Sequence, residues 1–145
     1  MSVISKSAVV SAPSEKILGI LLDVESHPSW QKEVQKVEIL ESDDQGRPKQ
    51  TRVSISAMGQ NGSYSVRYDY PEPGKFEYRL VEGDMMTKND ASFTLVPCDG
   101  GNTEVVIAMD MNIKWALPEF MIDQLTLKGV KDMLKGLKSK AEQSA

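Results

Sequence analysis

Cysteine and histidine each occur once in this 145-residue chain, as Cys98 and His27, and that scarcity excludes several kinds of chemistry. One cysteine cannot close an intrachain disulfide, which suits a reducing compartment. A zinc site built from His and Cys needs three or four ligands, more than the chain holds. A site of carboxylates alone stays open, but no acidic loop has calcium-binding spacing, and no metal or cofactor is assigned. No G-x-S-x-G elbow is present, nor a Ser or Cys set beside a base and an orienting group, so no catalytic residue is assigned. Long hydrophobic runs are also missing: no segment approaches the roughly 18 apolar residues of a membrane span. The opening "MSVISKSAVV" lacks the apolar core of a signal peptide, and a cytoplasmic location is expected. Basic residues are outnumbered, 17 against 21 acidic for a net charge of −4. Without a concentrated basic surface, nucleic acid is not an expected partner. No repeat, low-complexity tract or linker interrupts residues 1–145, which read as one domain able to bury roughly two thirds of its unfolded surface.

What is present changes period twice. "SVISKSAVVSA" is rich in small and β-branched residues and stops at Pro13, the mark of a first strand. From Ser14, Ile17, Ile20, Leu21 and Val24 recur at helical spacing, and Pro28 forbids simple continuation. "SHPSWQKEV" has the Ser and Pro of a fresh helix start, with room for about two turns. From Val37 to Ile113 the chain reads as six strands with turns at "DDQGRP", "GQNG", "PEPG", the stretch 82–90 and "PCDGGN". One face collects Val53, Ile55 and Ala57, then Tyr64, Val66, Tyr68 and Tyr70, then Phe76, Tyr78 and Leu80, then Ala91, Phe93 and Leu95, and last Val105, Ile107, Met109, Met111 and Ile113. Arg52, Arg67 and Arg79 alternate to the other face. After Pro118 the helical period returns to about Glu142, with Ile122, Leu125, Gly129, Val130, Met133, Leu134, Leu137 and Ala141 in the apolar stripe. The fold class is α+β in the order β-α-α-β6-α, and the last helix is the only element long enough to cover a seven-stranded antiparallel sheet.

Ala12-Pro13 with its following helix, "DVESHPSW" at Asp23 to Trp30, the strand "VEIL" and the turn "GGNTEVVIAMDM" together resemble the polyketide cyclase/dehydrase-like branch of the START (SRPBCC) superfamily. The likeness extends over nearly the whole chain and is strongest to small stand-alone members common in actinobacteria. The resemblance implies a helix-grip fold, also called Bet v 1-like: a curved antiparallel sheet wrapped around the C-terminal helix, with an elongated cavity between them. It also implies that the His-Pro-x-Trp corner is mainly structural, packing the short helices against the end of the sheet. His27, beside Asp23, Glu25 and Ser29, is therefore read as a packing residue.

The cavity candidates combine Tyr64, Tyr68, Tyr78 and Phe93 with methionines and neighbours on predicted inner positions: Met85, Met86, Met109, Met111, Trp115, Met121 and Leu125. Methionine adapts its shape and tyrosine carries a hydroxyl on an apolar ring, which suits a loosely specified hydrophobic ligand; the same residues also suit a filled core. Adjacent Met85 and Met86 cannot both face inward on a regular strand, so either one stands at a cavity rim or a β-bulge intervenes. Lys128, Lys131, Lys135 and Lys138 make a basic stripe on the last helix, which reads as a solvated face or as weak contact with an anionic membrane surface. Three functions follow as expectations: binding or carriage of a small hydrophobic molecule (a lipid, a quinone or a polyketide-like aromatic), an aromatase/cyclase or dehydratase, or a protein-interaction domain.

Overall fold

In the computed structural model, which describes residues 3–57 and 59–143 and only the backbone of Ala57, seven strands form one antiparallel sheet. The inward position expected for Ala57 lies outside the described side chains. The strands are β1 (Ile4–Val10), β2 (Val34–Ser42), β3 (Pro48–Ala57), β4 (Gln60–Glu72), β5 (Lys75–Gly83), β6 (Met86–Pro97) and β7 (Thr103–Ile113). Two helices complete the fold, α1 (Ser14–Leu22) and the long α2 (Glu119–Gln143). β2 to β7 follow one another as a meander, and β1 pairs with β7, so the two edges are β1 and β2. This is the order of elements read from the sequence, in the helix-grip arrangement that the resemblance implies.

Two boundaries differ from the sequence reading. β6 starts at Met86 rather than Ala91, because the long β7 supplies partners for the earlier residues: Met86 lies opposite Ile113 and Asn89 opposite Met111. Residues 86–90 are therefore strand and not an irregular stretch. The register shifts between Met86 and Lys88, as a β-bulge does. The second helix is a six-residue 3₁₀ turn, Val24–Ser29, which begins before the expected Ser26 and carries Pro28 inside it. Buried Val24 anchors its start. Around the proline, the N–H groups of Ser26, Trp30 and Gln31 close the turn onto Asp23 and His27 carbonyls.

The inner face of the sheet carries the core. Across its strands run Tyr68, Tyr78, Ala91 and Met109 in one row and Phe76, Phe93 and Ile107 in another. α2 packs against β1, β7 and α1, burying Val130, Leu134, Leu137 and Ala141. A second, smaller cluster of Val24, Val37, Val53 and Ile55 lies under the corner, with Met85 and Met86 packed against it. Tyr64 and Tyr68 touch both clusters and mark the seam between them.

The corner is tied down at both ends. His27 donates from Nε2 to the Leu21 carbonyl at 2.8 Å, which fixes the turn to the end of α1. Trp30 lays its carbonyl and ring edge against Gly136 of α2, so close that a Cβ at that position would collide with the carbonyl oxygen. At Gly129, seven residues earlier on the same helix, a Cβ would meet nothing within 4 Å. The two glycines should therefore respond in opposite directions to alanine. Gly136→Ala is expected to cost about 1–3 kcal/mol by overpacking, against its own gain in helix propensity. Gly129→Ala is expected to gain about 0.5–1 kcal/mol. Urea unfolding of both variants measures the contrast, and equal effects would show that Gly136 is not a packing requirement.

Candidate functional site

At the seam between the two clusters a small chamber of about 50 Å³ opens between the sheet and α2. Its sheet wall is aromatic, with Tyr64, Tyr68, Phe76, Tyr78 and Phe93. Phe76 and Phe93 stack at 4.7 Å and 6° between ring planes, Tyr68 lies 6.1 Å from Phe76, and Tyr78 lies tilted 5.7 Å from Tyr68. Leu21, His27, Trp30 and Gln31 close the opposite side from α1 and the corner, and Met133 closes it from α2. His27 meets Trp30 edge-on at 5.0 Å. At this size the chamber exceeds the roughly 10–15 Å³ one water needs but falls well short of the roughly 300 Å³ of small-molecule pockets. The aromatic side chains occupy most of the space that an elongated cavity would have had.

The candidate residues divide by position. Tyr64, Tyr68, Tyr78 and Phe93 come together around the chamber. Met85 and Met86 are both half-buried against the smaller cluster, Met85 lying over Gly62, whose missing side chain leaves it room. Neither methionine stands exposed at a rim. Met109 is packed into the main core beside Ala91. Met111 borders a separate groove of about 260 Å³ between the end of β7 and the start of α2. Trp115, in the connection from β7 to α2, and Met121, in the first turn of α2, are 40% and 39% exposed, and neither lines the chamber. Leu125 is half-buried on α2 and is not in the chamber wall. Of the lysine stripe, Lys128 is paired with Asp132 and Lys138 with Glu142, which cancels part of its charge; Lys131 and Lys135 are exposed.

Polar groups at this seam escaped the sequence reading. Thr51 on β3 is fully buried and Asn89 on β6 is 3% exposed. Both share the inward parity of residues already assigned there, Val53 and Ile55 for Thr51 and Ala91 and Phe93 for Asn89. Alternation would have found Asn89 had β6 been started five residues earlier. Thr51 Oγ1, Asn89 Oδ1 and Trp30 Nε1 are buried with no hydrogen-bond partner among the described residues. Thr51 lies near enough to the Tyr68 hydroxyl, and Asn89 to that of Tyr64, to favour the tyrosinate in each, although no hydrogen bond closes on Thr51 Oγ1 or Asn89 Oδ1. Native proteins leave few buried polar atoms unpaired, because each one costs about 1–3 kcal/mol.

Burial governs the titration of the site. It pushes the Tyr68 hydroxyl up to about 12 and raises those of Tyr64 and Tyr78 as well. All three stay protonated at physiological pH and act as hydrogen-bond donors rather than bases. No carboxylate, lysine or arginine is in the chamber wall. Burial also lowers the pKa of His27, outweighing the opposing bond to Leu21 and the charge of Asp23. Among the described residues no helix is long and apolar enough to cross a membrane, and no group of three or more His, Cys, Asp or Glu is placed to hold a metal ion.

Comparison with known proteins places this geometry among relatives. The sequence profile of a family described as "Polyketide cyclase / dehydrase and lipid transport" matches residues 1–142. A START superfamily protein from Mycobacterium smegmatis superimposes with a TM-score of 0.94 at 29% identity, covering 99% of both chains. An aromatase/cyclase, Zhui, from Streptomyces sp. R1128 superimposes at 0.84 with 18% identity, covering 98% of this chain and 94% of its own. A protein from Thermus thermophilus gives 0.83 at 18% identity over 99% of each chain. At 18% identity the last two show the shared fold alone. No curated protein matches the sequence.

The lowered pKa of His27 gives the fold a pH dependence of definite sign. With the folded pKa below the ordinary 6.5, the unfolded chain takes up the proton first on acidification. The contribution is fully present above 6.5 and is lost as pH falls below it toward the folded value. Unfolding free energy is expected to drop between pH 7 and pH 5, and His27→Gln to flatten that acid-side decline. An equal decline in both proteins would assign it to other groups.

Proposed function

The chain belongs to the polyketide cyclase/dehydrase and lipid transport family, and from that premise we propose that it binds and carries a small hydrophobic molecule between the sheet and α2. The observation that carries this reading is a set of buried polar atoms without a hydrogen bond among the described residues: Trp30 Nε1 in the chamber wall, and Thr51 Oγ1 and Asn89 Oδ1 behind that wall beside Tyr68 and Tyr64. An apolar filler would leave those atoms unpaired, whereas a ligand carbonyl can accept from Trp30 Nε1 and the Thr51 hydroxyl, and a ligand hydroxyl can donate to Asn89 Oδ1. Of the hydrophobic classes considered, a flat oxygenated ring system such as a quinone or polyketide-like aromatic fits better than a saturated acyl chain. It can lie along the Phe76–Phe93 stack while its oxygens meet donor and acceptor groups. At about 50 Å³ the chamber is smaller than such a ring system, so binding selects a conformation in which wall side chains move aside.

The aromatase/cyclase alternative asks for a group that moves a proton. The raised tyrosines can polarise a carbonyl, but the chamber wall offers no carboxylate, and its one imidazole, His27, has its pKa lowered by burial and is held through Nε2 by the Leu21 carbonyl. That composition favours binding over turnover.

The test titrates the protein with a hydroxylated anthraquinone and with a saturated fatty acid of similar volume, following Trp30 fluorescence in a Trp115→Phe background. Saturable binding of the anthraquinone, about tenfold or more tighter than the fatty acid, is the expected result; tighter binding of the fatty acid overturns the ring-system assignment. Native mass spectrometry of protein purified without detergent should carry a solvent-extractable extra mass. No binding of either probe together with a bare protein mass sinks the carrier reading. Thr51→Val should separate function from stability. It is expected to stabilise the unliganded fold by about 1 kcal/mol while weakening anthraquinone binding about five- to tenfold.

A further inference from the structure

Outside the chamber, between the residues that follow the corner and the face of α2, lies a second concavity of about 420 Å³. It falls within the roughly 300–1,000 Å³ range of small-molecule pockets, while the inner chamber does not. The two spaces have a common wall: Trp30, Gln31 and Met133 line both. Trp30 is held there by its carbonyl against Gly136, while the other two, glutamine and methionine, have side chains with several rotatable bonds.

The floor of the outer groove is formed by α2 at Gly129 and Gly136, one above the other two turns apart. Packing explains Gly136, since the Trp30 carbonyl occupies the place of its Cβ. Packing does not explain Gly129, where a side chain would meet open space. A glycine in the interior of a helix weakens it, so an unneeded one is a local conflict between helix stability and something else. What Gly129 does in this structure is keep the groove open beside the common wall.

We propose that this groove is the mouth of the ligand chamber, and that the hydrophobic ligand passes from it between Trp30 and Met133 to reach the aromatic seam. The inference rests on the carrier reading above and adds the route. The small chamber has the same implication, because its occupant enters through a wall that rearranges, and this wall is backed by a space large enough to hold a ring system.

The experiment follows binding of N-phenyl-1-naphthylamine, a neutral aromatic probe, by stopped-flow energy transfer from Trp30 in the Trp115→Phe protein. Gly129→Leu places a side chain in the groove without touching the chamber, and Gly129→Gln does the same with a soluble side chain should leucine compromise folding. Closing a passage slows both directions equally. Association and dissociation rates are expected to fall about tenfold or more in both variants, with Kd unchanged within about twofold. Unchanged rates overturn the proposal. A weaker Kd at unchanged association rate also overturns it, since the groove would then be a seat and not a route. Failure of the carrier reading looks different: the unsubstituted protein would give no saturable signal, or Val53→Phe, which fills the chamber, would bind as well as the parent.

Discussion

One helix has to shield the dry face of a sheet much wider than itself. Seven strands at roughly 4.8 Å spacing span about 30 Å, and an α-helix with its side chains covers roughly 10 Å. Curvature narrows the gap without closing it. α2 settles against β1 and β7, where Val105, Ile107, Val130 and Leu137 are completely buried. The half of the sheet made by β2 to β5 must find cover elsewhere. It obtains it from α1, from the corner at Val24 to Trp30, and from its own aromatic side chains lying flat on the surface. The chamber is the residue of that mismatch, and it appears at the seam because two separate coverings meet there.

The corner that completes the covering depends on two small contacts. The bond from His27 to the Leu21 carbonyl fixes its angle, and the bare backbone at Gly136 lets Trp30 approach α2. Trp30 is therefore at once a packing residue, as the resemblance implied, and part of the chamber wall. Its buried indole nitrogen has no partner, a cost that a purely structural tryptophan at this position would not need to carry. The same holds for Thr51 and Asn89. Their placement beside Tyr68 and Tyr64 gives the seam a polar side.

Charge is arranged on the opposite face. Lys88 bridges to Asp110 at 2.7 Å and Arg67 and Lys49 meet Glu41, while at the β2–β3 turn Arg47 pairs with Asp43 and covers the Tyr70 ring at the edge of the core. These pairs are exposed or half-exposed and are worth little individually. Their effect is to keep arginine away from the chamber. The chamber wall is left with hydroxyl, amide, indole and imidazole groups on an aromatic surface.

The order of elements, the antiparallel meander, the long terminal helix and the inward faces of β3 to β7 were legible in the sequence because they rest on period, and period is local. The inward placement of Tyr64, Tyr68, Tyr78 and Phe93 was legible for the same reason. Tertiary structure decided what they face. Whether an inward side chain meets core, chamber or solvent depends on which part of the sheet α2 covers, so Met109 went to the core, Trp115 to the surface and Met86 into a strand that β7 extends. Thr51 and Asn89 carried the right parity but drew no notice, since a buried polar residue becomes informative only once its missing partner can be seen. The sequence by itself determined the sheet, the helix and the sides on which residues fall. The chamber and its mouth required three-dimensional packing, because both are gaps left where elements distant along the chain fail to cover one another completely.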